Sequence, residues 1–203
     1  MSGLRTMRIG ARLGLAFGVV LLIIAACAAV GVWRLQALDR ITERLGTVEN
    51  EKLDLTVRWR QTIDLNWVRT QAALLDSDTG RIPMWQAQMD KTSEISVASR
   101  DRLHELVQTP EGKALLADID AMRAAYRTPR AAILKRRMAG EDVAAELQRT
   151  LNPLADAYSN SILKLEERQK RLFDAALADA HADAVKGQAI LIACGVVAVA
   201  VEL

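Results

Sequence analysis

The 203-residue sequence has little of what a cross-linked, strand-rich or catalytic domain would need. Its 2 cysteines, Cys27 and Cys194, both lie inside apolar segments, so no disulfide framework is expected and packing must hold the fold. Strand patterns and internal repeats are absent. The 2 histidines, His104 and His181, have no second histidine or cysteine at metal-ligand spacing, and no phosphate-binding loop or nucleophile elbow occurs. We therefore expect a helical protein that is not an enzyme and holds no metal or cofactor.

Charged residues are absent from residues 13–33. As a helix this segment is roughly 30 Å long, which matches the apolar core of a bilayer. The basic residues that precede it are Arg5, Arg8 and Arg12, and no acid occurs before Asp39. The positive-inside tendency then places the tail, residues 1–12, in the cytoplasm. A cleavable signal peptide begins in the same way, but its apolar core is shorter. Residues 13–33 are therefore predicted to form transmembrane helix 1.

A second apolar segment begins at Ala189, and the sequence stops at Leu203 before this segment is long enough to cross a bilayer. We expect the natural protein to continue. Residues 189–203 are then the truncated start of transmembrane helix 2, and residues 34–188 form a domain on the outer side of the membrane. A cytoplasmic output region would follow the second helix.

Residues 34–188 carry four helical patterns. Apolar residues recur at spacings of three and four along residues 34–75, 84–107, 110–140 and about 141–187. Residues 76–83 have turn chemistry, Thr109 and Pro110 are typical of a helix start, and Gly140 of a helix end. Short connections favour antiparallel neighbours. The sequence therefore predicts an all-α protein, an antiparallel up-down four-helix bundle continuous with the transmembrane helices.

The apolar faces of the first two helical patterns suggest what each helix buries. The first has a seam that becomes polar in its distal half and a second stripe formed by Leu65, Val68, Ala72 and Leu75. A helix with two such faces packs in its own bundle and against another subunit, so a homo-oligomer is predicted, with a dimer favoured. In the second helix the apolar residues of the pattern are Ile95, Leu103, Leu106 and Val107. A small polar flank is assigned to Thr92, Ser93, Ser96 and Ser99.

Acidic residues are also absent from residues 121–140, whose cations are Arg123, Arg127, Arg130, Lys135, Arg136 and Arg137. On a helix, Arg123, Tyr126 and Arg130 share one face, with Arg127 beside them. Residues 135–137 have an alternative interpretation, because cations in a last turn complement the helix dipole. Nucleic acid is not an expected partner, since the basic cluster lies beyond the membrane.

Residues at equal distances from the two turns at the tip of the bundle lie at the same level along the bundle axis. Several polar residues fall at one such level. Partly buried like charges destabilise an empty layer, and guanidinium groups bind carboxylates through paired hydrogen bonds. The only carboxylate near this level is Asp90. We therefore predict a site for a small polyanion formed by Arg69, Arg123, Tyr126, Arg127 and Arg130, with Asn66, Thr92, Ser93 and Asn152. Arg69 as a rim residue and Tyr126 as a core residue remain alternatives.

The start MRIGARLGLAFGVVLL, the segment WRQTIDLNWVRTQAALL and the two flanking apolar segments resemble the N-terminal sensory part of bacterial methyl-accepting chemotaxis proteins. The resemblance implies a periplasmic four-helix-bundle ligand-binding domain in the inner membrane that dimerises through its first helix. It also implies a cytoplasmic kinase and adaptor, reached through the missing signalling region.

The family's amino-acid receptors hold ligand carboxylates with arginines of the first helix and a threonine of the fourth. Arg69 fits one such role, Arg58 and Arg60 lie too near the membrane for the others, and Thr150 is the only threonine in the right part of the fourth helix. The third-helix arginines favour a di- or tricarboxylate such as malate or citrate. Two alternatives keep the architecture: the sensor of a membrane histidine kinase or cyclase, and a ligand-free, membrane-anchored structural bundle.

Overall fold

The computed structural model describes residues 9–43 and 48–202, which form helices and turns without a β-strand. The helices are α1 (Ile9–Glu43), α2 (Asn50–Leu75), α3 (Ile82–Leu106), α4 (Pro110–Met138), α5 (Ala144–Glu146) and α6 (Asn152–Glu202). The predicted all-α class is confirmed. Most of the predicted N-terminal tail and the predicted continuity between α1 and α2 across residues 44–47 lie outside the described residues.

The chain divides into two compact units. The first contains α1 and the part of α6 from residue 175 onward, and the second contains α2 to α5 and the part of α6 up to residue 174. In the first unit, Gly187 of α6 faces the side chain of Arg34, whose guanidinium carbon lies 5.4 Å from the ring centroid of Trp33. Within residues 9–43 and 48–202, no helix combines the length and the apolarity needed to cross a membrane.

The second unit is an up-down four-helix bundle of α2, α3, α4 and the first part of α6. Contacts between neighbouring helices show their relative direction. Between α2 and α3, Asn66 bonds to Met89 and Glu51 accepts from Arg102, so residue numbers fall along α2 as they rise along α3. Arg60 bonds to Glu166 and Ser159 to Asp64 for α2 and α6, while Tyr126 meets Tyr158 and Arg168 pairs with Glu111 for α4 and α6. Neighbouring helices are therefore antiparallel, as the short connections predicted.

The turns of the bundle follow the local chemistry of the sequence. Between α2 and α3 the Asp78 carboxylate accepts a hydrogen bond of 2.9 Å from the backbone N–H of Gly80. At the start of α4, the Thr109 hydroxyl accepts one of 3.2 Å from the N–H of Gly112. At its end, Gly140 has a φ of 88°, and the N–H of Glu141 reaches back to the carbonyl of Arg136 in a Schellman arrangement. These predicted helix boundaries are confirmed.

The start of the fourth long helix differs from the prediction of about Glu141. The Asp142 carboxylate accepts a bond from the N–H of Ala144, which holds residues 141–143 outside the helix because the side chain competes with helical bonding. The single turn α5 and a π-helical turn, Leu147–Leu151, precede α6. Pro153, which has no N–H to donate, follows this change of hydrogen-bonding pattern directly.

The apolar pattern of α3 holds at Leu103 and Val107, which are buried, and fails at its other end. Ile95 is 51% exposed, whereas Thr92, Ser96 and Ser99 are buried. The hydroxyls of Thr92 and Ser96 donate to carbonyls of their own helix, Gln88 and Ser93, so their burial leaves no polar group unpaired. Small side chains on this face allow α3 to pack closely on α2, which explains why hydrophobicity alone did not identify Thr92, Ser96 and Ser99 as buried.

The predicted second stripe of α2 lies on the surface of the bundle. Leu65, Val68 and Leu75 are all exposed, while the polar seam of the same helix buries Thr62, Asn66 and Thr70. The apolar core of the bundle is formed by Trp59, Ala73, Leu74, Ile82, Met89, Leu103, Val107, Leu116, Ile119, Tyr126, Ile133, Leu134, Val143, Leu147, Leu151, Ala155, Tyr158, Ile162 and Leu165.

Candidate functional site

A cleft with a volume of about 110 Å³ lies within the four-helix bundle and is bordered by α2, α3, α4 and α6. Polar and apolar side chains both reach it. Its lining residues are Ile63, Asn66, Asp90, Ser93, Ser96, Val97, Arg123, Tyr126, Arg127, Arg130 and Tyr158.

The side of the cleft formed by α4 is cationic. Arg123, Arg127 and Arg130 follow one another at helical spacing along this side, and none of them forms an ion pair with a described residue. Two other arginines of the bundle are paired with acids: Arg60 lies 2.6 Å from Glu166, and Arg102 lies 2.8 Å from Glu51. The cleft arginines therefore form a positive group that has no ion-pair partner among the described residues.

Burial adds to the cost of this positive charge. It lowers the pKa of the Arg123 guanidinium, and the like charge of Arg127 lowers that pKa further. The Nε of Arg130 is buried without a hydrogen-bond acceptor, and its guanidinium carbon lies 5.6 Å from the ring centroid of Tyr126. An acceptor placed in the cleft would satisfy this donor and reduce the repulsion between the arginines.

Two tyrosines from α4 and α6 meet at the cleft, with the ring centroids of Tyr126 and Tyr158 6.0 Å apart. The Tyr158 hydroxyl accepts a 3.3 Å bond from Nε1 of Trp59, so its own hydrogen remains available to a ligand. Burial raises the pKa of Tyr158 to about 12 and also raises the pKa of Tyr126. Both hydroxyls therefore stay protonated at neutral pH and act as donors.

On the α2 and α3 side, Asn66 sets the orientation of Ser93. The amide nitrogen of Asn66 donates to the carbonyl of Met89 and to the hydroxyl of Ser93, at 3.1 Å in each case. Since the Ser93 oxygen already accepts this bond, its hydrogen is free to donate into the cleft.

The predicted site residues fall into two groups. The structure brings six of them to the cleft: Asn66, Ser93, Arg123, Tyr126, Arg127 and Arg130. Arg69 and Thr92 do not line the cleft, and the guanidinium of Arg69 donates to Asn66, to the Gln88 carbonyl and to the Thr92 hydroxyl. The Asn152 amide donates to Gln148, and Asn152 does not line the cleft. Their roles in binding remain predictions.

Sequence reasoning did not assign Tyr158, Ser96, Ile63 or Val97 to the site. Tyr158 was identified only as an apolar seam residue, although a tyrosine hydroxyl in a polar layer was an available signal. Ser96 was assigned to the polar flank of α3 rather than to an inward face. Both omissions have one cause, because the rotation of each helix about its axis is set by packing and not by spacing along the chain.

The basic residues at the end of α4 are engaged at the tip of the bundle. Arg136 lies 2.7 Å from both Glu141 and Glu146, and Arg137 donates a 2.7 Å bond to the main-chain carbonyl of Asp76. These two cations therefore serve local structure. Over the described ranges, no group of three or more His, Cys, Asp or Glu side chains could hold a metal ion, and His104 pairs with Asp120 at 3.0 Å.

The second unit is thus an antiparallel helical bundle with a polar, cationic cleft among its helices. The family model that describes a four helix bundle sensory module for signal transduction matches residues 6–182. The chain belongs to this family, as an N-terminal sensor domain of the methyl-accepting chemotaxis type, so the predicted resemblance is confirmed. No curated protein matches the chain.

Proposed function

We propose that this sensor domain binds a small organic acid, a di- or tricarboxylate such as malate or citrate, in the cleft between its helices. The observation that carries the proposal is the set Arg123, Arg127 and Arg130, which share the cleft without an ion-pair partner among the described residues. Guanidinium groups bind carboxylates through charge-assisted hydrogen bonds. The cleft is smaller than the pockets of about 300 Å³ or more that hold drug-sized ligands, which favours a compact acid.

Neutral donors complete the proposed site. The free hydrogens of Ser93 and Tyr158 can bond to ligand oxygens that the arginines leave unpaired, while Asn66 and Trp59 hold the two hydroxyls in place. Hydrogen bonds to a charged group contribute about 1.5–3 kcal/mol each. A bound anion would also offset the burial and the repulsion from Arg127 that lower the pKa of Arg123, so the ligand stabilises the occupied bundle relative to the empty one.

The proposal extends to location and signalling. Residues 13–33 and 189–203 are assigned to two inner-membrane helices, residues 1–12 to the cytoplasm and residues 34–188 to the periplasm. The exposed apolar residues Leu65, Val68 and Leu75 of α2 support a homodimer through this helix. Binding would be transmitted across the membrane to a cytoplasmic kinase and adaptor and would control chemotaxis.

Titration calorimetry on the purified chain in lipid nanodiscs tests the ligand. We expect saturable heat with malate or citrate and its loss in Arg123→Ala and Arg130→Ala. Arg136→Ala is the matched control, because Arg136 is paired with acids at the tip. Absence of heat with every di- and tricarboxylate, or unchanged affinity in both cleft variants, would refute the proposal. A ligand-free structural bundle would instead show only salt-sensitive binding to anionic surfaces.

A further inference from the structure

The α3 side of the cleft differs in chemistry from the cationic α4 side. Asp90 is the one carboxylate among the described residues that line the cleft. It is exposed, and it forms no ion pair or hydrogen bond with another described residue. A carboxylate in the same cleft as three arginines weakens the binding of any ligand that presents only negative charge in its direction.

The serines beside Asp90 do not duplicate its chemistry. Ser96 donates its hydrogen to the carbonyl of Ser93 at 2.8 Å, and the Ser93 oxygen already accepts a bond from Asn66. An ionised carboxylate can only accept hydrogen bonds, and two oxygens give it the largest acceptor capacity of any side chain. Asp90 is therefore the group on this side that a donor on the ligand would satisfy.

We propose that Asp90 determines specificity by accepting a hydrogen bond from a hydroxyl or ammonium group of the ligand. The cleft then selects carboxylates that carry such a donor close to their charged groups over plain dicarboxylates of equal length. This inference rests on the proposed function, since the arginines supply the attraction and Asp90 supplies the discrimination. A hydroxyl and an ammonium group present the same donor chemistry to Asp90, and the ligands below distinguish them.

Three four-carbon acids provide the test, measured by calorimetry on the full chain in nanodiscs. Succinate has no donor, malate has a hydroxyl and aspartate has an ammonium group. We expect malate, aspartate or both to bind about tenfold or more tighter than succinate, because the donor gains a charge-assisted bond and succinate gains none. Preference for malate alone identifies the hydroxyl, and preference for aspartate alone identifies the ammonium group.

The variant Asp90→Asn removes the charge and keeps the size of the side chain. We expect succinate to bind more tightly to it and the preference over succinate to fall to near equality. Because Asp90 is exposed and forms no contact that holds the fold, this variant should fold, and circular dichroism checks this. Glu94→Gln is the matched control, since it makes the same charge change at an exposed position of α3 that does not line the cleft.

Two results would overturn the inference. One is equal affinity of the wild-type chain for all three acids, and the other is a preference that Asp90→Asn leaves unchanged. If binding is lost in Arg123→Ala while Asp90→Asn keeps the preference, the carboxylate site stands and the role of Asp90 fails. If no acid binds the wild-type chain, both the site and the role of Asp90 fail.

Discussion

The buried hydroxyl of Tyr158 should make the bundle sensitive to alkaline pH. Burial raises the pKa of Tyr158 from 10.0 to about 12, so the unfolded chain loses this proton before the folded chain does. The protonated tyrosine contributes stability that is fully present below pH 10 and is lost as pH rises toward 12, because the unfolded state then binds fewer protons.

The size of this loss follows from the two pKa values. One pKa unit corresponds to about 1.4 kcal/mol, so raising the pH from 8 to about 11 should remove about 1.4 kcal/mol of unfolding free energy through Tyr158 alone. Urea unfolding at both pH values measures it. Other groups also contribute to the pH dependence of stability, so the relevant quantity is the difference between the wild-type chain and Tyr158→Phe.

Tyr158→Phe should also destabilise the bundle at pH 8. It leaves Nε1 of the buried Trp59 without its acceptor, which costs about 1–3 kcal/mol. Against this lower baseline, the variant should lose less stability than the wild type between the two pH values. Equal losses in both proteins would show that burial does not raise the pKa of Tyr158 above its ordinary value, and the pH argument would be wrong.

Two further substitutions test the framework of the site and the tip of the bundle. Asn66→Ala should lower the unfolding free energy measured in urea by about 2 kcal/mol and weaken acid binding, because the bonds to Met89 and Ser93 are lost. The control Asn160→Ala, at an exposed position, should change neither quantity. Gly140→Ala should lower the unfolding free energy by about 1 kcal/mol without changing acid affinity, because its φ of 88° strains any residue with a Cβ. A fully stable Gly140→Ala protein would contradict the assigned helix end.

Much of the fold could be predicted because local chemistry determines it. Thr109 with Pro110 specifies the start of α4, Gly140 specifies its end, and Asp78 shapes the turn before α3; each signal acts within a few residues. Helix order and antiparallel direction then follow from the short connections. The start of the fourth long helix was missed because Asp142 and Pro153 compete with the simple helical pattern.

The cleft was harder to predict because it depends on helix rotation. Counting levels along the helices placed six of the predicted residues at the cleft, and it could not separate them from Arg69, which lies at the same level and turns toward Gln88 and Thr92. Burial of Ser96 in place of Ile95 shows the same limit, since it depends on how closely α2 and α3 approach. The position of a residue along a helix follows from the local sequence, whereas the direction in which its side chain points depends on how the helix packs against its neighbours.

The aromatic contacts around the cleft give the protein a built-in optical reporter. Trp67 packs edge-on against Tyr126 at 6.1 Å between ring centroids, and Trp59 bonds to Tyr158, while Trp85 bonds to Asp76 at the turn after α2. Indole emission responds to the polarity and charge around the ring, so the proposed acid, bound between the arginines and tyrosines, should change the emission of Trp59 and Trp67. Occupancy of the cleft can thus be followed by fluorescence without a label, with Trp85→Phe removing an emitter outside the cleft.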